Sequence, residues 1–220
     1  TTNKHNIDVV GIGNAIVDVL VQIDDSFLKL HSLEKGSMAL LDEEQSKILY
    51  ASIQPDLETS GGSAANTLAG LAQLGSDSEF IGRVRDDKLG EIFTKDIRSA
   101  GTQFNTKAVT KGPPTARCLI FVTPDAQRTM CTYLGASVLL ESKDINLSSI
   151  KRTKVLYLEG YLWDNPATKE AFIAAAKICK ESGGKVALSL SDPFCVSRHR
   201  DSFINLLDEF IDILFANETE

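Results

Sequence analysis

Short apolar runs rich in β-branched residues alternate along this chain with amphipathic segments, and that alternation restricts the fold more than any other feature. The runs fall at 7–12, 79–84, 154–158, 185–190 and 211–215. Strands that are largely apolar, rather than apolar at every second position, are buried on both faces, so the pattern predicts a parallel sheet covered by helices on both sides. Helices are expected at 63–74, 88–100, 167–182 and 201–209, with Pro166 near one start and Gly101 and Gly183-Gly184 after two ends. In the third of these, Ala171, Ala174, Ala175 and Ile178 recur at helical spacing and form a narrow stripe suited to lying on a sheet. The expected fold class is α/β, in three layers of helix, sheet and helix.

Two segments interrupt the alternation. One holds the runs 19–23 and 37–41; the other, 115–134, reads as two strands around the turn Thr123-Pro124-Asp125-Ala126-Gln127. Four short strands in two insertions predict a small extra sheet. Because the insertions leave and return at strand ends, where α/β proteins place their ligands, this sheet is expected to act as a lid. Residues 1–18, 42–114 and 135–220 are then the core, and 19–41 and 115–134 the lid.

With 220 residues and 43% hydrophobic composition the chain can bury a sizeable core. Its 23 basic and 30 acidic residues give a net charge of −7 with no long run of either sign, which argues against a nucleic-acid partner. No apolar stretch has the length of a membrane span, and the opening Thr-Thr-Asn-Lys-His-Asn lacks the apolar core of a signal peptide, so a cytoplasmic protein is expected. Cys118, Cys131, Cys179 and Cys195 show no Cys-x-x-Cys spacing and read as reduced thiols. Cys118 and Cys131 fall on the two arms of the expected hairpin, but small half-buried side chains are the simpler expectation.

The first motif, Gly11-Ile12-Gly13-Asn14-Ala15-Ile16-Val17-Asp18, directly follows the first strand. It opens like a dinucleotide fingerprint but has Ile16 where the third glycine belongs, and it runs on as a strand, so a nicotinamide site is not expected. What remains is a polar pair, Asn14 and Asp18. A carboxylate accepts from vicinal hydroxyls and an amide both donates and accepts, which suits a sugar ring. An Asx-turn closing the strand is the other reading. The second motif, Ser60-Gly61-Gly62-Ser63-Ala64-Ala65-Asn66-Thr67, leads into an apolar helix. Paired glycines before a helix start let a ligand approach the bare backbone N–H groups, and Asn66 lies about one turn further on. Otherwise Ser63 is a helix cap and Asn66 faces solvent.

Taken together, these two motifs resemble the adenosine-kinase branch of the ribokinase (PfkB) kinases. The resemblance implies that Asn14 and Asp18 bind acceptor hydroxyls and that Gly61, Gly62 and Asn66 line the same pocket. Gly82-Arg83-Val84-Arg85-Asp86-Asp87-Lys88-Leu89-Gly90 is similar to a further family segment, with Arg85 replacing its second glycine. There Asp87 reads as a helix cap rather than a catalytic group. In Tyr157-Leu158-Glu159-Gly160-Tyr161 the family commonly places a polar group near the phosphates, which assigns Glu159; the alternative is an exposed carboxylate in a turn. Ala216-Asn217-Glu218-Thr219-Glu220 matches the family's Asn-x-x-Glu, which puts Asn217 and Glu220 near magnesium and the transferring phosphate.

The resemblance runs from Ile7 to Glu220 and implies a ribokinase-like fold with a β-sheet lid, with ATP and Mg²⁺ as cofactors. The implied reaction is phosphorylation of a hydroxyl on a nucleoside or sugar, foremost the 5′-hydroxyl of adenosine to give AMP. The alternatives are a ribokinase- or fructokinase-type sugar kinase, or a truncated, non-catalytic nucleoside-binding module. The family's Gly-Ala-Gly-Asp segment, which carries the catalytic base, does not occur in this sequence. No catalytic residue is therefore assigned, the C-terminal part of the fold is expected to be missing, and this chain alone is expected to be inactive. A monomer or a lid-mediated homodimer is expected, with no nucleic-acid or membrane partner.

Overall fold

A computed structural model describes residues 5–220; residues 1–4, the start of the expected core segment and of the opening read against a signal peptide, lie outside the described residues. In chain order the first half comprises β1 Ile7–Ile12, β2 Ile16–Gln22, α1 Asp25–Leu30, β3 Met38–Leu40, α2 Glu43–Ala51, β4 Leu57–Gly61, α3 Ser63–Gln73, β5 Ser78–Ile81, α4 Lys88–Ser99 and β6 Gln103–Phe104. The second half comprises β7 Ala116–Val122, β8 Arg128–Tyr133, α5 Leu147–Arg152, β9 Thr153–Glu159, α6 Pro166–Glu181, β10 Lys185–Ser189, α7 Pro193–Phe210 and β11 Ile213–Phe215.

The doubly buried strands assemble as the pattern requires, into a six-stranded parallel sheet of order β11-β10-β9-β1-β5-β6. The chain starts in the middle of it. From β1 it builds outward through β5 and β6, then returns to the other side of β1 and builds outward through β9, β10 and β11. The reversal between β1 and β9 is a topological switch point, the place where loops at the C-terminal strand ends diverge and leave a crevice.

Two cores hold the layers. On one face Leu156, Leu158, Val186 and Leu188 pack with Ala171, Phe172, Ala175 and Cys179 of α6 and with Phe203 and Leu206 of α7. Trp163 is buried between Phe172 and Phe203, and its indole N–H donates to Ser202 Oγ at 2.8 Å. The expected stripe of α6 holds for Ala171, Ala175 and Ile178, which lie in or against this core, whereas Ala174 is exposed and Phe172 and Cys179 are buried in its stead. The second core joins the sheets: Phe80, Phe93 and Phe104 pack ring against ring and continue into Val17, Val19, Leu119 and Phe121 of the smaller sheet.

That smaller sheet has five strands in the order β3-β8-β7-β2-β4, not four. The addition is β4, which lies within the stretch assigned to the core and pairs antiparallel with β2. Already at Ile16 the chain has left the main sheet for this one. One face is buried against the helices, so only the other face can cover a ligand.

Several bounds also shift. The strand expected at 79–84 ends at Ile81, and the helix expected at 201–209 starts at Pro193, capped by the Asp192 carboxylate on Cys195 N at 2.6 Å. Helices α1, α2 and α5 had not been expected. All four cysteines are free and buried, and burial pushes the thiols of Cys118, Cys179 and Cys195 up to about 11. Cys118 pairs in register with Thr132 and Cys131 with Leu119, so the two thiols point to opposite faces of the hairpin.

Candidate functional site

At the switch point the loop leaving β1 and the end of β9 meet through two side chains. Glu159, the last residue of β9, is 1% exposed. Its Oε2 accepts the Asn14 backbone N–H at 2.7 Å and the Asn14 side-chain N–H at 3.0 Å. Its Oε1 accepts the Ala64 N–H at 3.0 Å and the Ser63 hydroxyl. Four donors surround a group that offers only acceptors, and two of them belong to the first turn of α3, where the helix dipole also favours negative charge. Glu159 is therefore not the exposed turn carboxylate that the alternative reading supposed.

The second motif forms the opposite wall. Gly62 stands at the cap position of α3 with φ +99°, a conformation closed to most residues with a side chain, and it lies against the carbonyl of Asn14. Ser63 is the first helical residue rather than the cap. Its hydroxyl serves Glu159 instead. Asn66 is exposed one turn further along α3. Asn14 is 4% exposed, and its amide oxygen accepts the Ser137 hydroxyl at 2.8 Å. No Asx-turn forms there, because the amide reaches across the site. Ser137, in the 3-10 turn Gly135–Leu139, carried no motif in the sequence.

Asp18 sits on β2 and points to the uncovered face of the smaller sheet. In register across that face run Thr59, Asp18, Cys118, Thr132 and Leu40. Burial pushes the Asp18 carboxyl up to about 6, and among the described residues no cation stands beside it to oppose the shift. The carboxyl lies against Gly61, so Asn14, Asp18, Gly61 and Gly62 form one continuous wall. The phenol of Tyr161, just past Glu159, is pushed up to about 12 by burial and then by the charges of Asp192 and Glu159.

Asn217 and Glu220 are placed elsewhere on the same edge. They follow β11, whose Phe215 pairs with Ser189 of β10, which in turn pairs with Glu159. Two strand spacings, about 10 Å, separate the two groups along the sheet. Asn217 Nδ2 donates to Glu220 Oε1 at 2.7 Å, and Asn217 Oδ1 accepts the N–H groups of Thr219 and Glu220. The carboxylate and amide oxygens are the hard donors Mg²⁺ prefers, and the loop already uses much of the amide oxygen, which fits contact through water. Among the described residues no three His, Cys, Asp or Glu side chains gather as a metal cluster.

Asp87 is the cap of α4, accepting Gly90 N–H at 2.9 Å, and it also accepts the N–H and hydroxyl of Thr115 at 2.9 and 2.7 Å. Arg85, which replaces the second glycine of the family segment, forms a β-bridge with Val109 and does not have the positive φ that would call for glycine. No helix among the described residues is long and apolar enough to cross a membrane.

A doubly wound parallel sheet with polar loops converging at its switch point, beside a second sheet that presents a carboxylate, places this chain in the three-layer α/β class. Comparison with known proteins narrows the class. Residues 54–220 match the pfkB family carbohydrate kinase profile, and the chain belongs to that family. It is similar to the adenosine kinase from Sinorhizobium meliloti, at 48% identity and a TM-score of 0.86, covering 98% of this chain and 66% of that one. A probable sugar kinase protein from Rhizobium etli CFN 42 is 46% identical with a TM-score of 0.87, again covering 98% and 66%. Adenosine kinase 2 of Arabidopsis thaliana is 22% identical over 100% of this chain and 65% of its own length. The chain thus spans just under two thirds of the length of these relatives.

Proposed function

We propose that the protein containing this chain is an ATP-dependent kinase that phosphorylates a hydroxyl of a nucleoside or sugar, with adenosine as its acceptor and AMP as its product. The observation that carries this reading is the wall formed by Asn14, Asp18, Gly61 and Gly62 at the switch point. A half-buried carboxylate with no cation partner among the described residues has acceptor capacity left for a pair of hydroxyls. Beside Asp18 the uncovered sheet face is largely apolar, with Leu20, Ile120, Met130 and Met38 in the next register row. A flat heteroaromatic base gains from such a surface, whereas a free sugar would leave its outer hydroxyls unpartnered there.

Transfer of a γ-phosphoryl group is mostly positioning and neutralisation of charge. In this reading Asp18 and the Gly61-Gly62 backbone hold and orient the acceptor, with Asn66 bordering the pocket, and the smaller sheet excludes water. Asn217 and Glu220 would hold Mg²⁺ through water, and the ion supplies neutralisation of the phosphate charge. The base that takes the hydroxyl proton is not assigned to this chain, so the 220 residues by themselves are expected to bind acceptor without turnover.

The test is a calorimetric titration of the 220-residue chain with adenosine, ribose and fructose. Saturable adenosine binding that Asp18→Ala abolishes supports the reading. Binding of ribose or fructose in preference would move the acceptor to a free sugar, in line with the sugar-kinase likeness. Adenosine affinity unchanged in Asp18→Ala would overturn the assignment of the pocket, and ATP-dependent phosphorylation by the 220-residue chain would overturn its inactivity.

A further inference from the structure

The Asn14 side chain is a terminal amide, whose two ends differ by one atom and can exchange by a flip about the last torsion. Which end faces the ligand decides whether Asn14 gives the pocket a donor or an acceptor. Two contacts bear on this. Glu159 Oε2, which can only accept, takes the Nδ2 hydrogen at 3.0 Å, and the same oxygen takes the Asn14 backbone N–H at 2.7 Å. The Ser137 hydroxyl meets Oδ1 at 2.8 Å. A hydroxyl can donate or accept and would tolerate either orientation, since it also lies 2.6 Å from the Leu134 carbonyl. A carboxylate tolerates only one.

We infer that Glu159 is a positioning residue that locks the orientation of the Asn14 amide, and is not a ligand of phosphate or magnesium. Both its oxygens are occupied, one by Asn14 and the other by Ser63 and Ala64 at the start of α3. At 1% exposure it has no open side for a cation or a phosphate-bound water. Through one carboxylate the end of β9, the loop after β1 and the start of α3 are tied together, so the two halves of the sheet are joined at the site itself. The locked amide keeps its second N–H and one lone pair of Oδ1 uncommitted, and the consequence for acceptor binding rests on the pocket proposed above.

The test uses the 220-residue chain labelled with ¹⁵N. The Asn14 side-chain amide is the resonance pair that vanishes in Asn14→Ala. In the wild type it should exchange slowly with solvent and show well-separated proton shifts. In Glu159→Leu, which is close in size and offers no acceptor to the Asn14 amide, exchange should accelerate at least roughly tenfold and adenosine affinity should drop by a similar factor. An Asn14 pair unmoved by Glu159→Leu would overturn the inference. If Glu159→Leu does not fold, the wild-type pair decides: exchange as fast as that of an exposed amide overturns the lock, and one Nδ2 proton shifted well downfield of its geminal partner, as a carboxylate acceptor requires, upholds it. Failure of adenosine, ribose and fructose all to bind the wild type would overturn the proposed function instead, while the Asn14 resonance still reports on Glu159.

Discussion

The Asp18 carboxyl fills the space that a β-carbon on Gly61 would need. The two residues lie on neighbouring strands, with Ile16 rather than Asp18 directly opposite Gly61, so the carboxyl leans along the sheet toward the switch point. Gly61→Ala should therefore push Asp18 off its position while leaving the strand pairing intact. The expected result is a loss of adenosine affinity of roughly tenfold or more with stability changed by less than about 1 kcal/mol. Calorimetry alongside urea denaturation reads both, and unchanged affinity would show that Asp18 is not held by this contact.

Asp18 also makes the chain sensitive to pH. Its carboxyl is raised to about 6 from an ordinary 3.8, because burial disfavours the charged form. A group that holds its proton more tightly when folded favours folding fully below pH 3.8, and that contribution fades as the pH rises through about 6. Wild type should thus lose about 1–2 kcal/mol relative to Asp18→Asn between pH 4 and 7, allowing for the solvent contact Asp18 retains. Acceptor binding should move the opposite way, since the ionised form receives the hydroxyls. Adenosine binding at pH 6 should release protons, measurable as a dependence of the binding heat on buffer ionisation.

The assignment of Asp87 as structural can be separated from any role in binding. It caps α4 and holds Thr115 at the start of β7 through two further bonds. Removing a cap costs about 1 kcal/mol, and the orphaned Thr115 groups add a comparable amount. Asp87→Ala should lower stability by about 2–3 kcal/mol in urea while adenosine affinity stays within twofold. A large loss of affinity in a stable variant would give Asp87 a part in the site.

What the sequence made legible follows from how each element is buried. The parallel strands were readable because burial on both faces leaves long apolar runs, and the glycine motifs because backbone strain has few solutions. Strand β4 was not, since Leu57-Glu58-Thr59-Ser60-Gly61 has a single large apolar residue. Its polar side chains are used one by one: Glu58 by Tyr50, and Thr59 and Ser60 by Asp96. The first half of α7 was hidden by Ser197-Arg198-His199-Arg200, which has no apolar period and where the helix kinks at His199. Ser137 contacts Asn14 across 123 positions of chain, and no local pattern encodes such a pairing. The motif placed Glu159 at the site, but its contacts depend on the α3 start arriving beside it.

The junction of the two sheets sets how far the smaller one can move independently. Phe93 of α4 is completely buried, 5.8 Å from the ring of Phe80 in the main sheet and 5.2 Å from that of Phe104, in the same core as Val19 and Phe121 of the smaller sheet. Phe93→Ala removes the ring that bridges them and leaves a cavity the surrounding rings can only partly fill, a loss of about 3–5 kcal/mol. Phe194, 75% exposed on α7, is the matched control, and Phe194→Ala should change stability by less than about 0.5 kcal/mol. If the sheets unfold as one unit, near-ultraviolet circular dichroism and the fluorescence of Trp163, which sits in the other core, will lose signal at the same lowered urea concentration in Phe93→Ala. Separate transitions would mean that the smaller sheet melts away from a main sheet that still holds, and that the site's two walls are only loosely joined.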